Sequence, residues 1–170
     1  MTRSFALVAC VLLLASALVR AESLPAACGN DNAKFDVTTI DAANPQAPLE
    51  PGKARLVLLE DENMVIGPFM HATVRFGLDG HWVGANHGNS YFVIDVPPGE
   101  HHVCATWKPA LQKESIELAP VTAKPGKVYY LSARVTVESK YVTDFSLSNL
   151  NADQGSYRMQ KSQLATWKQK

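Results

Sequence analysis

The chain has 170 residues, of which 46% are hydrophobic, and its 16 basic side chains balance 16 acidic ones. That length supports one domain with a real core. A neutral balance without a basic run gives no footing for nucleic-acid binding.

Residues 1–21 read MTRSFALVACVLLLASALVRA: a basic start at Arg3, an apolar run from Phe5 to Val19, then a small-residue cleavage context at Val19-Arg20-Ala21. About fifteen apolar residues are short for a membrane span, and the pattern is that of a secretory signal peptide. No later apolar run reaches membrane length. We therefore expect an exported protein, periplasmic or extracellular, with no transmembrane span in its mature form. Cleavage removes Arg3 and Arg20, leaving fourteen basic against sixteen acidic residues, a charge of −2. "LPAAC" before Cys28 also resembles a lipoprotein cleavage box, so a lipid anchor at Cys28 is the alternative to soluble export. The mature chain keeps Cys28 and Cys104, and an even pair in an exported protein reads first as a disulfide. Its loop closure is worth about 4.5 kcal/mol in the chain-entropy model, an upper figure.

Residues 22–49, rich in Ala, Asn, Asp and Pro, read as an N-terminal arm with one strand candidate, Lys34 to Val37. Three stretches then share a device: "EPGKARLVLL" from Glu50, "PPGEHHVCATW" from Pro97 and "KPGKVYYLSARV" from Lys124. Proline presets φ at the second turn position, glycine accepts positive φ at the third, and a strand follows. In "HATVRFGLDGHWVGAN", Asp79-Gly80 separates two alternating runs, a strong hairpin signal. A two-residue turn there pairs Leu78 with His81, Phe76 with Val83 and Val74 with Ala85. "YVTDFSLSNL" sets Tyr141, Thr143, Phe145 and Leu147 on one face. About seven short strands without a helical period predict an antiparallel β-sandwich over residues 50–150, Ig-like or transthyretin-like. In residues 151–170 we expect a short helix or basic tail, capped by Asn151, with Tyr157, Leu164 and Trp167 on one side and Gly155 weakening it.

The cluster His101, His102 and Cys104 raises the question of chemistry. With Pro98-Gly99 at the centre of a hairpin, Asp95 faces His102, Val93 faces Cys104 and Tyr91 faces Thr106. Phe92, Ile94, Val96, His101, Val103, Ala105 and Trp107 then share the core side. Adjacent strand residues point to opposite faces, so His101 and His102 cannot share a metal. His102, Cys104 and Asp95 would share the other face and suggest a thiol enzyme, but residues two apart on a strand stand about 6.6 Å from each other. Oxidation with Cys28 removes the thiol in any case. No catalytic residue and no cofactor are expected.

A histidine metal site made of His71, His81 and His87 is the other alternative; this register sets His87 opposite Ala72, with no ligand spacing to support the site. A third hairpin at Pro125-Gly126 would place Glu117 opposite Arg134 as a surface ion pair. Phosphate-loop, nucleophile-elbow and zinc-helix motifs are absent from the sequence. Arg158, Lys161, Lys168 and Lys170 make the tail basic. The best hint of binding is Trp82 with Asn86 and Asn89, an aromatic ring beside amides where a glycan or peptide could stack.

In their order, "PGKARLVLL", "VRFGLDGHWVGA", "SYFVIDVPPGEHHVCATW" and "KPGKVYYLSARV" resemble the bacterial family catalogued as domain of unknown function 2846, over residues 50–150. The resemblance implies an exported, often lipid-anchored envelope domain of β-sandwich fold, with no established activity. The expected function is a non-enzymatic binding or structural module of the bacterial envelope, its partner a glycan, peptide or protein.

Overall fold

Every residue from Leu56 to Glu60 is buried, although strand side chains alternate between two faces. Such a strand has to lie inside a sheet that is covered on both sides. The computed structural model, which describes residues 28–29, 33–41, 47–64, 71–109, 112–139 and 142–170, places it there. Residues 1–27, with the expected signal peptide, and Tyr141 lie outside the described residues. Among the described residues no helix is long and apolar enough to cross a membrane.

The strands are β1 (Phe35–Ile40), β2 (Ala54–Met64), β3 (Thr73–Leu78), β4 (His81–His87), β5 (Ser90–Val96), β6 (Gly99–Trp107), β7 (Ser115–Ala123), β8 (Val128–Ser139), β9 (Val142–Leu150) and β10 (Gln163–Gln169). One helix, α1 (Ala152–Lys161), lies between β9 and β10. Sheet A has six strands in the order β1-β10-β5-β2-β8-β9, and sheet B has four, β4-β3-β6-β7. The protein is thus an all-β sandwich of two sheets. It departs from the expected antiparallel, seven-stranded form in having ten described strands, two of whose pairings, β2 with β8 and β10 with β5, are parallel. Leu56 and Leu58 of sheet A meet Val74, Phe76, Val103 and Ala105 of sheet B in the core. On the outside of sheet A, Val57, Leu59 and Tyr91 pack under Met159 of the helix and Leu164 of β10.

The expected hairpin at Pro98-Gly99 does not form. β5 is flanked on both sides, by β10 and by β2, so neither of its edges is free for β6. The chain crosses there to sheet B. Asp95 faces Arg55 instead of His102, and Cys104 lies between Gly77 and Leu118 instead of beside Val93. The turn at Pro125-Gly126 is another crossing, so Glu117 faces Ala105 while Arg134 lies 3.9 Å from Asp61. At Asp79-Gly80 the hairpin forms with φ of 50° and 87°, a type I′ turn. Leu78 pairs with His81 as expected, but a bulge then shifts the register, so that Phe76 faces Gly84 and Val74 faces Asn86. His87 accordingly faces Thr73, not Ala72.

The described part of the arm and the C-terminal segment both join this frame. β1 pairs with β10 along its whole length, Phe35 with Gln169 through Ile40 with Leu164. Cys28 and Cys104 form a disulfide with Cα atoms 5.0 Å apart, on the outer face of sheet B. The strand beneath is at Gly77, where a Cβ would stand 2.2 Å from the Cys28 carbonyl oxygen. The helix forms with Asn151 as its cap, Oδ1 accepting from Gln154 N at 2.9 Å. Gly155, a weak helix former, lies where a Cβ would meet the Tyr130 ring at 2.1 Å, so packing outweighs propensity. Leu164 and Trp167 do not share the helix; they lie on β10, where the Trp167 ring packs tilted against Phe92 with centroids 4.5 Å apart.

His101 links the two turns at one end. Its Nδ1 lies 2.6 Å from Asp79 Oδ2 and its Nε2 2.8 Å from the Pro97 carbonyl, so the imidazolium, with both N–H groups donating, satisfies both acceptors. Burial opposes that charge, but the Asp79 and Pro97 bonds outweigh it and raise the His101 pKa. Burial likewise works against the Asp79 carboxylate, and its bonds to His101 and to the His102 amide prevail and lower its pKa. The raised histidine contributes stability that is complete below its ordinary value near 6.5 and is lost as pH climbs through the folded value. The lowered aspartate contributes above 3.8 and loses its share as pH falls through its own folded value. We predict that His101→Asn costs about 1 kcal/mol at pH 5.5 and markedly less at pH 9, read from urea unfolding at both pH values. Equal losses at the two pH values would contradict a charged staple.

Candidate functional site

Trp82, Asn86 and Asn89 end up in three different places. Trp82 lies on the outer face of sheet B, half-buried, with the Arg75 guanidinium 4.4 Å above its ring. Asn86 is fully buried between the sheets, and its Nδ2 donates to the Leu58 carbonyl at 2.9 Å. Asn89 occupies the tight turn from β4 to β5 with φ of 31°, its Oδ1 accepting from Glu62 N at 3.0 Å. The three do not form one binding surface. Each nevertheless marks a feature of its own.

Asn89 marks an open groove of about 580 Å³ between α1 and the outer face of sheet A. Leu59 and Leu150 supply apolar lining. Asp61 and Arg158 form an ion pair across the groove that fastens the helix to β2. Gln154, Tyr157 and Lys161 line it from the helix. Tyr157 is 64% exposed, an aromatic ring with little to hold it in the fold. The groove is therefore concave, partly apolar, and rimmed by amides and charges beside one free ring, the composition of a small-ligand site. Sequence reading places Tyr157 on the helix but misses Asp61 and Gln154 as its neighbours, because only the crossing of α1 over β2 brings them together.

Asn86 marks a buried polar cluster. Alternation from Leu56 and Leu58 sends Glu60 into the core, where its carboxyl is 1% exposed. Among the described residues neither of its oxygens has a well-formed hydrogen bond, and neither does Asn86 Oδ1. Burial pushes the Glu60 pKa well above the usual carboxylate range and the Glu62 charge adds to this, while the Gly88 and Val74 amides offset only part. Burial thus favours the protonated form of Glu60. Glu62 differs: it is an ion-pair partner of His71 and accepts from Ala72 N at 3.0 Å. The run "LEDEN" carries this signal, since strict alternation from Leu58 already turns both glutamates inward.

The histidines do not make a three-ligand site. His71 and His87 stand edge to face at 5.7 Å, and His87 Nδ1 is 2.9 Å from Thr73 Oγ1. His81 lies at the opposite end of β4. Among the described residues no group of three His, Cys, Asp or Glu side chains is placed to hold a metal ion. The Cys104, His102 and Asp95 set is likewise dispersed. Cys104 is in the disulfide, and Asp95, its pKa lowered chiefly by the Arg55 hydrogen bond, is held by that guanidinium at 2.6 and 2.9 Å in the other sheet. A sulfur bonded to Cys104 has no valence left for a thioether, so this disulfide and a lipid anchor at Cys28 exclude each other. No family model, curated protein or solved structure matches this chain.

Glu60→Gln keeps the shape and removes the proton requirement. A carboxyl with a raised folded pKa contributes fully below its unfolded value near 4.5, and that contribution is lost as pH rises toward the folded value. The stability of the variant relative to the parent is therefore expected to rise as pH goes from 4 to 8. Urea midpoints for both proteins across pH 4–8 check this; a difference that does not rise over that range would show an ionised, internally bonded carboxylate.

Proposed function

We propose that this protein is an exported, non-enzymatic binding module of the bacterial envelope, and that it takes a saccharide in the groove beneath α1. The exposed Tyr157 ring carries this reading. Sugars present one apolar face that stacks on an aromatic ring and an edge of hydroxyls that pair with amide, carboxylate and guanidinium groups. Gln154, Asp61 and Arg158 surround the ring with such groups, and Asn89, its Oδ1 already taken, still has its Nδ2 donors to offer. Export is supported by the apolar leader and by a disulfide, a bond that persists in oxidising compartments. A sandwich of the Ig-like or transthyretin-like kind, and kinship with domain of unknown function 2846, belong to the same proposal. The ordered Pro-Gly and Asp-Gly motifs support them.

A calorimetric screen of peptidoglycan fragments and neutral oligosaccharides is the direct test. We expect binding in the micromolar to millimolar range, weakened about tenfold or more in Tyr157→Ala, with the melting temperature of that variant unchanged because the ring is exposed. Failure of every saccharide to bind at millimolar concentration, or binding indifferent to Tyr157, would overturn the proposal.

A further inference from the structure

A second hollow, of about 500 Å³, lies on the opposite outer face, between the N-terminal arm and sheet B. Its charges are distributed unevenly. Arg75, at its floor, donates to Thr106 Oγ1 at 3.1 Å and to the Ala33 carbonyl at 2.9 Å, and pairs with Glu114. Lys170 is paired with Asp36. Lys34 and Lys108 also line the hollow, and among the described residues they have no ion-pair partner. The hollow thus holds two uncompensated ammonium groups beside a guanidinium that is already fixed, in a protein whose mature charge is slightly negative.

We infer that this cleft is a binding site for one phosphate group. Two ammonium groups lining one cleft raise its positive potential, so an anion is favoured there. A carboxylate, with a single charge, balances one lysine. A phosphate, carrying about −1.5 to −2 charges at pH 7 with three acceptor oxygens, balances both and can accept from each ammonium. Lysine recognises phosphate as a point charge and does not require a planar fork, which suits two flexible side chains from separate segments, the arm and the end of β6. Arg75 is the positioning residue: its bond to the Ala33 carbonyl holds the arm, and hence Lys34, against the sheet. Two free cations in about 500 Å³ suit a single phosphate and not the long charged track of a nucleic acid. The phosphate could be presented by a lipid headgroup or by a soluble phosphate ester.

Amide NMR of the full protein, titrated with inorganic phosphate against chloride at matched ionic strength, tests the site. Saturable shifts confined to Lys34, Phe35, Thr73, Thr106 and Lys108 are expected. Binding should weaken by about tenfold in Lys34→Ala/Lys108→Ala and stay within twofold in Lys127→Ala, a turn lysine away from the cleft. Sedimentation with phosphatidic acid vesicles, whose headgroup is a phosphate monoester, but not with phosphatidylcholine vesicles, abolished in the double variant, assigns a lipid headgroup. Glycerol phosphate binding without vesicle binding assigns a soluble ester. No saturable shift at the cleft, or a loss in Lys127→Ala as large as in the double variant, overturns the inference.

Discussion

The bond between Cys28 and Cys104 is the constraint from which much of the remaining architecture follows. It fixes the arm to β6 in sheet B, and only a few residues later the same arm becomes β1, an edge strand of sheet A. One covalent link therefore ties both layers, and Gly77 is what allows it to lie flat. Any side chain at that position would collide with the Cys28 backbone, so the arm would have to rise off the sheet. Arg75 completes the attachment through the Ala33 carbonyl and stacks over Trp82, whose ring in turn lies against Gly29. Trp82 thus serves the seating of the arm, which explains why a half-exposed tryptophan occurs in the first strand after the Asp-Gly turn.

The repeated Pro-Gly device gains a meaning that spacing alone could not give it. β2 and β8 are parallel neighbours, so the turns that lead into them, at Pro51-Gly52 and Pro125-Gly126, lie side by side. Gly126 N donates to the Lys53 carbonyl at 2.8 Å and Arg55 N to the Lys127 carbonyl at 2.9 Å. The similar sequences "EPGKARL" and "KPGKVYY" form one paired corner. The third copy, before β6, turns a corner between sheets. Beside the first, the Arg55–Asp95 fork also binds the carbonyls of Ala47 and Pro48, fastening the end of the arm to sheet A.

What is legible in the sequence follows from what alternation encodes. Side-chain period specifies which face a residue occupies, so it places Phe92, Val96, Val103, Ala105 and Trp107 correctly in the core. It does not specify a partner: strands stacked across two layers show the same faces as strands paired in one. The hairpins expected at Pro98-Gly99 and Pro125-Gly126 fail for that reason, while Asp79-Gly80, whose turn chemistry demands a tight hairpin, forms one. The bulge beyond it is not legible, because Gly84 answers to Trp167 and Phe92, residues far from it in sequence or in the other sheet. The disulfide follows from cysteine arithmetic. The proposed site does not, since its walls meet only through the crossing of α1 over sheet A.

The two hollows share an origin in the segments laid over the central sandwich. The central frame, residues 50–150, includes the Asp-Gly hairpin, the Pro-Gly corners and nearly all of the core. Both hollows lie on the outer faces of that frame, and each has a wall built by a chain end. Gln154, Tyr157, Arg158 and Lys161 roof the groove on sheet A, while Ala33, Lys34 and Phe35 wall the cleft on sheet B. The ends are also joined to each other through β1 and β10, so the two sites rest on one pair of strands. A frame whose inner residues are committed to packing leaves recognition to the segments laid over it. Both hollows are therefore products of the arm and the tail, and the central frame alone would form neither.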